Sequence, residues 1–308
     1  MIKDWNGKRY HSLNYFLRNK FGEKVFKISL DAGFTCPNRD GKVSKGGCTF
    51  CSARGSGDFS GDRDFSIHKQ FIEIKDMMAK KWKDGKYIAY FQAYTNTYAP
   101  VEVLREKYEE AIKEEGVVAL AIATRPDCLD EDVLDLLQEI NKKLYVWVEL
   151  GLQTINDEVA RSFNRGYDLE VYDKAIEGLK KRGIDFVTHC IFGLPGETKE
   201  DMLKTVDYIA HSGSTGIKLH LLHLMKGTRL VKEYESGNLK FLSQEDYIDL
   251  ICKSIAMLPQ DMVVHRLTGD APRDLLIGPM WSLKKWEVLN AIDKSLEDND
   301  IYQGKNFK

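Results

Sequence analysis

The sequence has no apolar run that approaches the length of a transmembrane helix, and its first nine residues are polar rather than typical of a signal peptide. Cysteine is scarce as well: 6 residues in 308 are too few for the disulfide framework of a small secreted protein. The formal net charge is only −2, which by itself indicates no nucleic-acid partner. We therefore expect a cytoplasmic protein without membrane contact, long enough to build one large core.

Three of the six cysteines lie within sixteen residues, at Cys36, Cys48 and Cys51. The segment between the first two contains three glycines and a proline but few apolar residues. Such a segment cannot form a core of its own, which indicates that something other than packing, most simply a metal centre, orders it. A structural zinc site needs four ligands, whereas a [4Fe–4S] cluster held by three thiolates keeps one iron open. From these residues alone, the cluster, zinc and a disulfide remain alternatives.

Positive charge is concentrated towards the amino terminus. Residues 1–63 contain twelve Lys and Arg against six Asp and Glu, a net charge of +6, so residues 64–308 carry −8. A basic segment that includes the cysteines could contact the phosphates of a nucleic acid. A solvated lysine-rich surface explains the same charge equally well, and both interpretations stay open at this point.

Apolar strand-like runs alternate with amphipathic helices along most of the chain. The predicted strands span residues 24–30, 87–91, 117–123, 145–150, 186–192, 217–222 and 262–267. The predicted helices span residues 12–21, 66–85, 100–114, 130–142, 168–182, 198–212 and 243–257. This alternation predicts a parallel sheet with helices on its faces. No Gly-x-Gly-x-x-Gly motif follows the first strand, which favours an incomplete TIM-type (β/α)6 barrel over a dinucleotide-binding sheet.

We expect one domain over residues 1–308, with a barrel core at about 24–270 and a carboxy-terminal capping helix at about 282–297. Polar segments follow the predicted strands at residues 92–97, 124–127, 149–153, 189–198, 220–223 and 265–270. In α/β barrels the ligand site lies at the carboxyl ends of the strands, and the cysteine segment follows the first strand. This convergence favours the open-iron cluster over zinc.

Six motifs carry a resemblance to a known family: Cys36…Cys48-Thr-Phe-Cys51, Tyr90-Phe-Gln-Ala-Tyr-Thr-Asn-Thr97, Ala123-Thr-Arg-Pro-Asp127, Val148-Glu-Leu-Gly-Leu-Gln153, Gly193-Leu-Pro-Gly-Glu-Thr198 and Arg266-Leu-Thr-Gly-Asp270. From about residue 24 to 280 the chain resembles the radical S-adenosylmethionine (SAM) superfamily. More narrowly, it looks like the YhcC/YtqA branch, which is related to the Elongator catalytic core and to oxygen-independent coproporphyrinogen oxidase. The superfamily's common spacing is Cys-x3-Cys-x2-Cys, whereas the first gap here is eleven residues, as occurs in the Elongator-like branch.

The resemblance implies two cofactors. Cys36, Cys48 and Cys51 would bind a [4Fe–4S] cluster, and its open iron would chelate the amino and carboxylate groups of SAM. The reduced cluster would cleave SAM to a 5′-deoxyadenosyl radical that abstracts a hydrogen atom from the substrate. An electron donor such as flavodoxin or ferredoxin is implied as a partner.

Six further residues would contact SAM by the same resemblance: Phe50, Gln92, Glu149, Gln153, Arg165 and His189. Phe50 matches the aromatic residue that packs on adenine, and Gln92 stands where the family's Gly-Gly-Glu segment binds the methionyl amine. Arg165 resembles the arginine that pairs with the methionyl carboxylate. The other three would bond ribose or methionine, and Glu149, which lies in an apolar run, needs a partner if it is buried.

A second set of residues is expected to face the substrate, because these residues lie in segments with little core character: Tyr94, Asn96, His220, Arg266 and Asp270. The resemblance to the Elongator core implies a tRNA partner and a reaction on a side chain of the wobble uridine. The chain has no room for an appended acetyltransferase domain, so alteration of an existing side chain fits better than acetyl transfer. The alternatives are a radical SAM enzyme for a small metabolite and a zinc-stabilised binding module.

Overall fold

The structure is a computed structural model that describes residues 4–80 and 85–308. Trp82, in the predicted helix 66–85, lies outside the described residues. Within the described ranges, no helix combines the length and the apolarity that crossing a membrane requires.

The described residues form nine strands: β1 (Val25–Leu30), β2 (Lys86–Phe91), β3 (Val117–Thr124), β4 (Tyr145–Gln153), β5 (Asp185–Phe192), β6 (Gly216–Leu221), β7 (Leu224–Met225), β8 (Val263–Arg266) and β9 (Leu276–Gly278). Seven of them pair in parallel, in the order β1-β2-β3-β4-β5-β6-β8, as a curled half-barrel. The incomplete barrel is therefore confirmed, and its seven strands correspond to the seven runs predicted from the sequence, one more than the six of a (β/α)6 barrel. The short strands β7 and β9 form a separate antiparallel pair, which the sequence did not predict.

Eleven α-helices lie in the described part of the chain: α1 (Leu13–Phe21), α2 (Pro37–Asp40), α3 (Ile67–Ala79), α4 (Val101–Ile112), α5 (Glu131–Asn141), α6 (Asp157–Ser162), α7 (Leu169–Lys181), α8 (Lys199–His211), α9 (Val231–Glu235), α10 (Gln244–Met257) and α11 (Lys285–Asp298). Every long helix predicted from the sequence is present. Ser12, Ser66 and Ser243 are the N-cap residues of α1, α3 and α10. Their side chains accept hydrogen bonds from backbone N–H groups in the first turns of these helices. Helix α11 begins three residues later than predicted and packs against α10.

Side chains alternate along the strands between the helical layer and the barrel interior. In β1, Phe26, Ile28 and Leu30 are buried on the helical side, while Lys27 and Ser29 face the interior and line its cavity.

The amino-terminal helix closes one end of this interior. Leu17 of α1 packs with Ile88, Ala119 and Trp147, which lie near the amino ends of their strands. The Val264 N–H donates to the His11 carbonyl at 2.8 Å, so the segment before α1 pairs with the edge strand β8. The interior is therefore apolar at the amino ends of the strands and open at their carboxyl ends.

Candidate active site

A cavity of about 720 Å³ lies at the carboxyl ends of the parallel strands. Its volume falls within the range of roughly 300–1,000 Å³ that small-molecule sites occupy. Thirteen of the residues predicted for the site line this one cavity: Cys36, Cys48, Phe50, Cys51, Gln92, Tyr94, Glu149, Gln153, Arg165, His189, His220, Arg266 and Asp270. The structure therefore brings together segments that lie more than two hundred residues apart in the sequence.

Asn96 is the predicted site residue that does not line this cavity. Its side chain is buried, and its Nδ2 donates to the carbonyls of Ala93 at 3.1 Å and Ala123 at 2.9 Å. Ala93 and Tyr94 both have positive φ angles, of 81° and 58°, so the backbone turns sharply after β2. This turn places Tyr94 in the cavity and Asn96 beneath the end of β3.

The cysteine loop is held by hydrogen bonds and by the packing of Cys48 and Phe50 against an apolar cluster that includes Phe163. The Thr49 N–H donates to the Phe163 carbonyl and the Leu230 N–H donates to the Thr49 carbonyl, each at 2.9 Å. Arg39 donates to the carbonyls of Cys51, at 3.2 Å, and Ser52. The loop is thus fixed to the segments after α6 and β7, and its thiols are presented on an ordered backbone.

The three thiols of the loop differ from the other cysteines in exposure. Cys36, Cys48 and Cys51 are partly exposed and make no disulfide, whereas the remaining three cysteines are buried. Burial raises the pKa of Cys48 to about 12, and the nearby Cys51 and Cys36 contribute to this rise. A thiol in this environment ionises only beside a strong positive charge such as a metal centre.

The donor set fits a cluster better than a single ion. Zinc needs four ligands at about 2.0–2.3 Å from one point. Cys36, Cys48 and Cys51 supply three thiols, one fewer than the four ligands of a closed zinc site. A [4Fe–4S] cluster spreads its thiolates over separate irons, so three cysteines around one cavity suit it.

A buried charge cluster forms the floor of the cavity around Glu149, which is 1% exposed. Five side chains donate to its carboxylate: Tyr90 at 2.7 Å, His189 at 3.1 Å, Lys27 and Trp147 at 3.2 Å each, and Lys218. Burial opposes the ionised form, but Lys218 and Lys27 hold the pKa of Glu149 well below its usual range. Glu149 therefore has the partners that its burial demands, and a carboxylate with about four acceptor sites has none left for ribose.

Burial favours the neutral form of four histidines that line the cavity. Burial lowers the pKa of both His189 and His223 to about 4, and it holds the pKa of His220 and His265 well below the usual value. In the described structure, His220 Nε2, His223 Nε2 and His265 Nδ1 are buried without a hydrogen-bond partner, as is Gln153 Oε1. All four side chains line the cavity. Buried polar atoms without partners are costly, so these atoms mark positions where a ligand or ordered water would bind.

Almost all N–H groups of the Arg165 guanidinium donate hydrogen bonds to other residues of the protein. Its guanidinium donates to the carbonyls of Leu152, Thr154 and Tyr167 and to Asp157, at 2.6–2.9 Å. Four of its five N–H groups are therefore used to hold the end of β4, and the pairing with a methionyl carboxylate stays a prediction. The neighbouring Arg125, which sequence reasoning did not single out, also lines the cavity and is paired with Asp127 at 2.7 Å.

Sequence reasoning missed four residues of the floor: Lys27, Tyr90, Trp147 and Lys218. Each lies inside a strand rather than after it, so none stood out among the polar segments. The available signal was a charge within an apolar run: Lys218 lies two residues before His220, on the same side of β6.

The sequence of this chain matches two family models. Residues 36–209 match the radical SAM superfamily, and residues 214–298 match the radical SAM C-terminal domain. The chain belongs to the radical SAM superfamily. It is 57% identical over 301 residues to YtqA of Bacillus subtilis, with 98% of this chain and 94% of that protein covered. It is 38% identical over 286 residues to YhcC of Escherichia coli, with 92% and 91% covered.

This radical SAM protein is also similar to a solved structure and to a curated protein at lower sequence identity. The structure of Elp3 from the archaeon Methanocaldococcus infernus superimposes with a TM-score of 0.69 at 18% identity, over 91% of this chain and 64% of that one. A tRNA uridine(34) acetyltransferase of Methanocaldococcus jannaschii is 28% identical over 194 residues, which are 61% of this chain and 34% of that protein. This chain thus corresponds to a minor part of the acetyltransferase.

Proposed function

We propose that this protein binds a [4Fe–4S] cluster through Cys36, Cys48 and Cys51, cleaves SAM reductively, and uses the resulting radical to modify a wobble-uridine side chain in tRNA. The observation that carries the proposal is the single cavity that three free thiols share with the polar ends of the barrel strands. When bound, the cluster and SAM supply a 5′-deoxyadenosyl radical. An electron donor such as flavodoxin or ferredoxin would reduce the cluster.

The chain's own residues supply placement and exclusion of water. The Phe50 ring contacts Phe163, with ring centroids 5.3 Å apart, and also lines the cavity, where we propose that it packs on adenine. Gln153 offers an unpaired buried oxygen that could accept a hydrogen bond from SAM. Gln92 lines the same cavity and is proposed for the methionyl amine. The neutral histidines add polar contacts without adding charge.

Two observations support tRNA over a small metabolite. The relative that acts as a tRNA uridine(34) acetyltransferase matches 61% of this chain, and residues 1–63, which hold the cluster loop, carry a net charge of +6. A modified base must leave its stack to reach a cavity of this kind, and basic groups near the mouth would hold the flanking phosphates.

The test is mass spectrometry of tRNA nucleosides from a strain that lacks the gene. We expect a wobble-uridine precursor to accumulate and a more processed species to disappear. Wild-type protein should restore the profile, Cys252→Ala should restore it too, and Cys51→Ala should not. An unchanged nucleoside profile in the deletion strain would contradict the tRNA assignment and favour a metabolite substrate.

A further inference from the structure

Phe59 is an exposed aromatic residue at the edge of the active-site cavity. It is 59% exposed, yet it lines the same cavity as the three cluster cysteines. Single exposed apolar residues are common on protein surfaces and need no explanation of their own. What distinguishes Phe59 is that it lines the cavity that also contains the three cysteines.

The loop that carries Phe59, residues 52–61 (the crest loop), is held firmly at both ends. At its start, Tyr94 donates to the Gly55 carbonyl through its backbone N–H at 2.9 Å and to the Ala53 carbonyl through its hydroxyl at 2.5 Å. At its end, the Gly61 N–H donates to the Ser29 carbonyl of β1 at 2.9 Å. The exposed ring is therefore presented on an ordered turn rather than on a loose segment.

Close packing explains why this turn is rich in glycine. A Cβ atom at Gly55 would collide with the Tyr94 ring, and one at Gly57 would collide with Ala93. Both contacts bring the crest loop against the corner that follows β2. The position of Phe59 is consequently fixed relative to the cavity and to Tyr94.

Tyr94 itself lies between two cations. The guanidinium carbons of Arg39 and Arg63 lie 5.2 Å and 5.5 Å from its ring centroid. Arg63 also donates to the Phe34 carbonyl at 3.1 Å, which ties it to the segment before Cys36. The exposed Phe59 ring is thus accompanied by the Tyr94 ring and by the two guanidinium groups next to it.

The crest loop and the three residues that follow it do not form a phosphate site. Residues 52–64 contain Arg54 and Arg63 but also three aspartates, and one of these, Asp58, accepts a hydrogen bond from Ser52 at 3.0 Å. With a net charge of −1, this segment would not attract a phosphate. A nucleobase is a different ligand, because stacking on an aromatic ring requires no net charge.

We infer that Phe59 is a stacking platform for an unpaired nucleobase of the tRNA substrate, next to the uridine that enters the cavity. The inference rests on the proposed function, since it assigns the crest loop to RNA. Single-stranded RNA is commonly bound by bases stacked on aromatic side chains, while cations elsewhere hold the backbone. Phe59 would therefore contribute affinity that does not depend on salt.

The test measures binding of a fluorescent anticodon stem–loop containing the wobble uridine, by anisotropy, to the full-length protein at several salt concentrations. Phe59→Ala should raise Kd roughly ten- to a hundredfold at every salt concentration, because stacking is lost. The slope of log Kd against log salt should not change, because no phosphate contact is lost. Phe59→Tyr should keep the wild-type affinity.

Phe307→Ala is the matched control, since Phe307 is an exposed phenylalanine stacked on His211, near the amino ends of the strands. Its affinity should equal that of the wild type. A stem–loop with abasic sites beside the wobble position should bind wild type and Phe59→Ala equally. If the wild type binds RNA and Phe59→Ala binds it as tightly, the inference is wrong and the proposed function stands. If the wild type binds no RNA, both are overturned.

Discussion

The floor and the rim of the cavity are both polar, but their side chains differ in how they are satisfied. On the floor, Glu149 is surrounded by five donors from its own chain. At the rim, the thiols of Cys36, Cys48 and Cys51 are free and partly exposed, and Gln153 keeps an unpaired oxygen. A polar group that the chain satisfies completely supports the scaffold, whereas one that it leaves unsatisfied marks a ligand position.

The largest expected effect is the loss of iron binding when a cysteine at the rim is replaced. Cys48→Ala removes one of the three proposed cluster ligands, and we expect it to abolish stable iron binding after anaerobic reconstitution, because there is no fourth proposed thiolate to substitute for it. Iron content per chain and the visible absorbance of the cluster are the measurements. Cys252→Ala, which changes a cysteine buried in the core, should bind iron as the wild type does. Full iron content in Cys48→Ala would contradict the assignment of this cysteine.

Replacement of Glu149 on the floor should lower the free energy of unfolding. Glu149→Gln leaves Lys27 and Lys218 without their carboxylate, and breaking such a buried pair costs about 3–5 kcal/mol of the free energy of unfolding. Denaturant unfolding measures this loss. Replacing Lys218 with Met in the same background should recover part of it, because an unpaired buried cation is removed. If Glu149→Gln were as stable as the wild type, the floor would not be a scaffold.

The floor also predicts how stability depends on pH. Because Lys218 and Lys27 depress the pKa of Glu149, its stabilisation is complete above the unfolded value of about 4.3 and is lost as the pH falls through the lower folded value. His189, with its pKa lowered from 6.5 to about 4, binds its proton more readily when unfolded, so stability also falls between pH 6.5 and 4. Unfolding free energies measured across this window should rise with pH. His189→Asn should reduce the slope, and an unaltered slope would contradict a buried neutral imidazole.

Asn96 was expected to face the substrate, but it is buried and does not line the cavity, so its replacement should affect stability rather than catalysis. Asn96→Ala removes two hydrogen bonds to backbone carbonyls and should cost about 1–3 kcal/mol of unfolding free energy. Iron content and SAM cleavage by the folded protein should stay at the wild-type level. A specific loss of SAM cleavage without a loss of stability would restore the substrate-facing role expected from the sequence.

The smallest effect is expected at a single exposed cation beside the thiols. Lys45 is exposed in the cysteine loop, and Lys45→Ala should weaken tRNA binding modestly while reducing the slope of log Kd against log salt by about one. Lys294→Ala on α11 serves as the control and should leave the slope unchanged. An identical slope for Lys45→Ala would exclude a phosphate contact at this position.

The strands of the half-barrel could be predicted because each is an apolar run between amphipathic helices, as in Val117–Thr124 and Gly216–Leu221. The short pair β7 and β9 could not, since two or three residues carry no periodicity and their pairing joins segments about fifty residues apart. The place of Cys36, Cys48 and Cys51 at the cavity could be predicted because their segment follows the first strand, while their role as cluster ligands stays a prediction. Lys218 was missed inside an apolar strand, and the position of Asn96 outside the cavity could not be predicted, because nothing in the sequence indicates positive φ at Ala93 and Tyr94.

The most direct test of an iron–sulfur site at the rim is SAM cleavage by the full-length protein after anaerobic reconstitution with iron and sulfide. With dithionite as the reductant, we expect about four irons per chain and formation of 5′-deoxyadenosine from SAM, detected by liquid chromatography and mass spectrometry. A protein that binds zinc at the three cysteines and forms no 5′-deoxyadenosine would contradict the proposed chemistry.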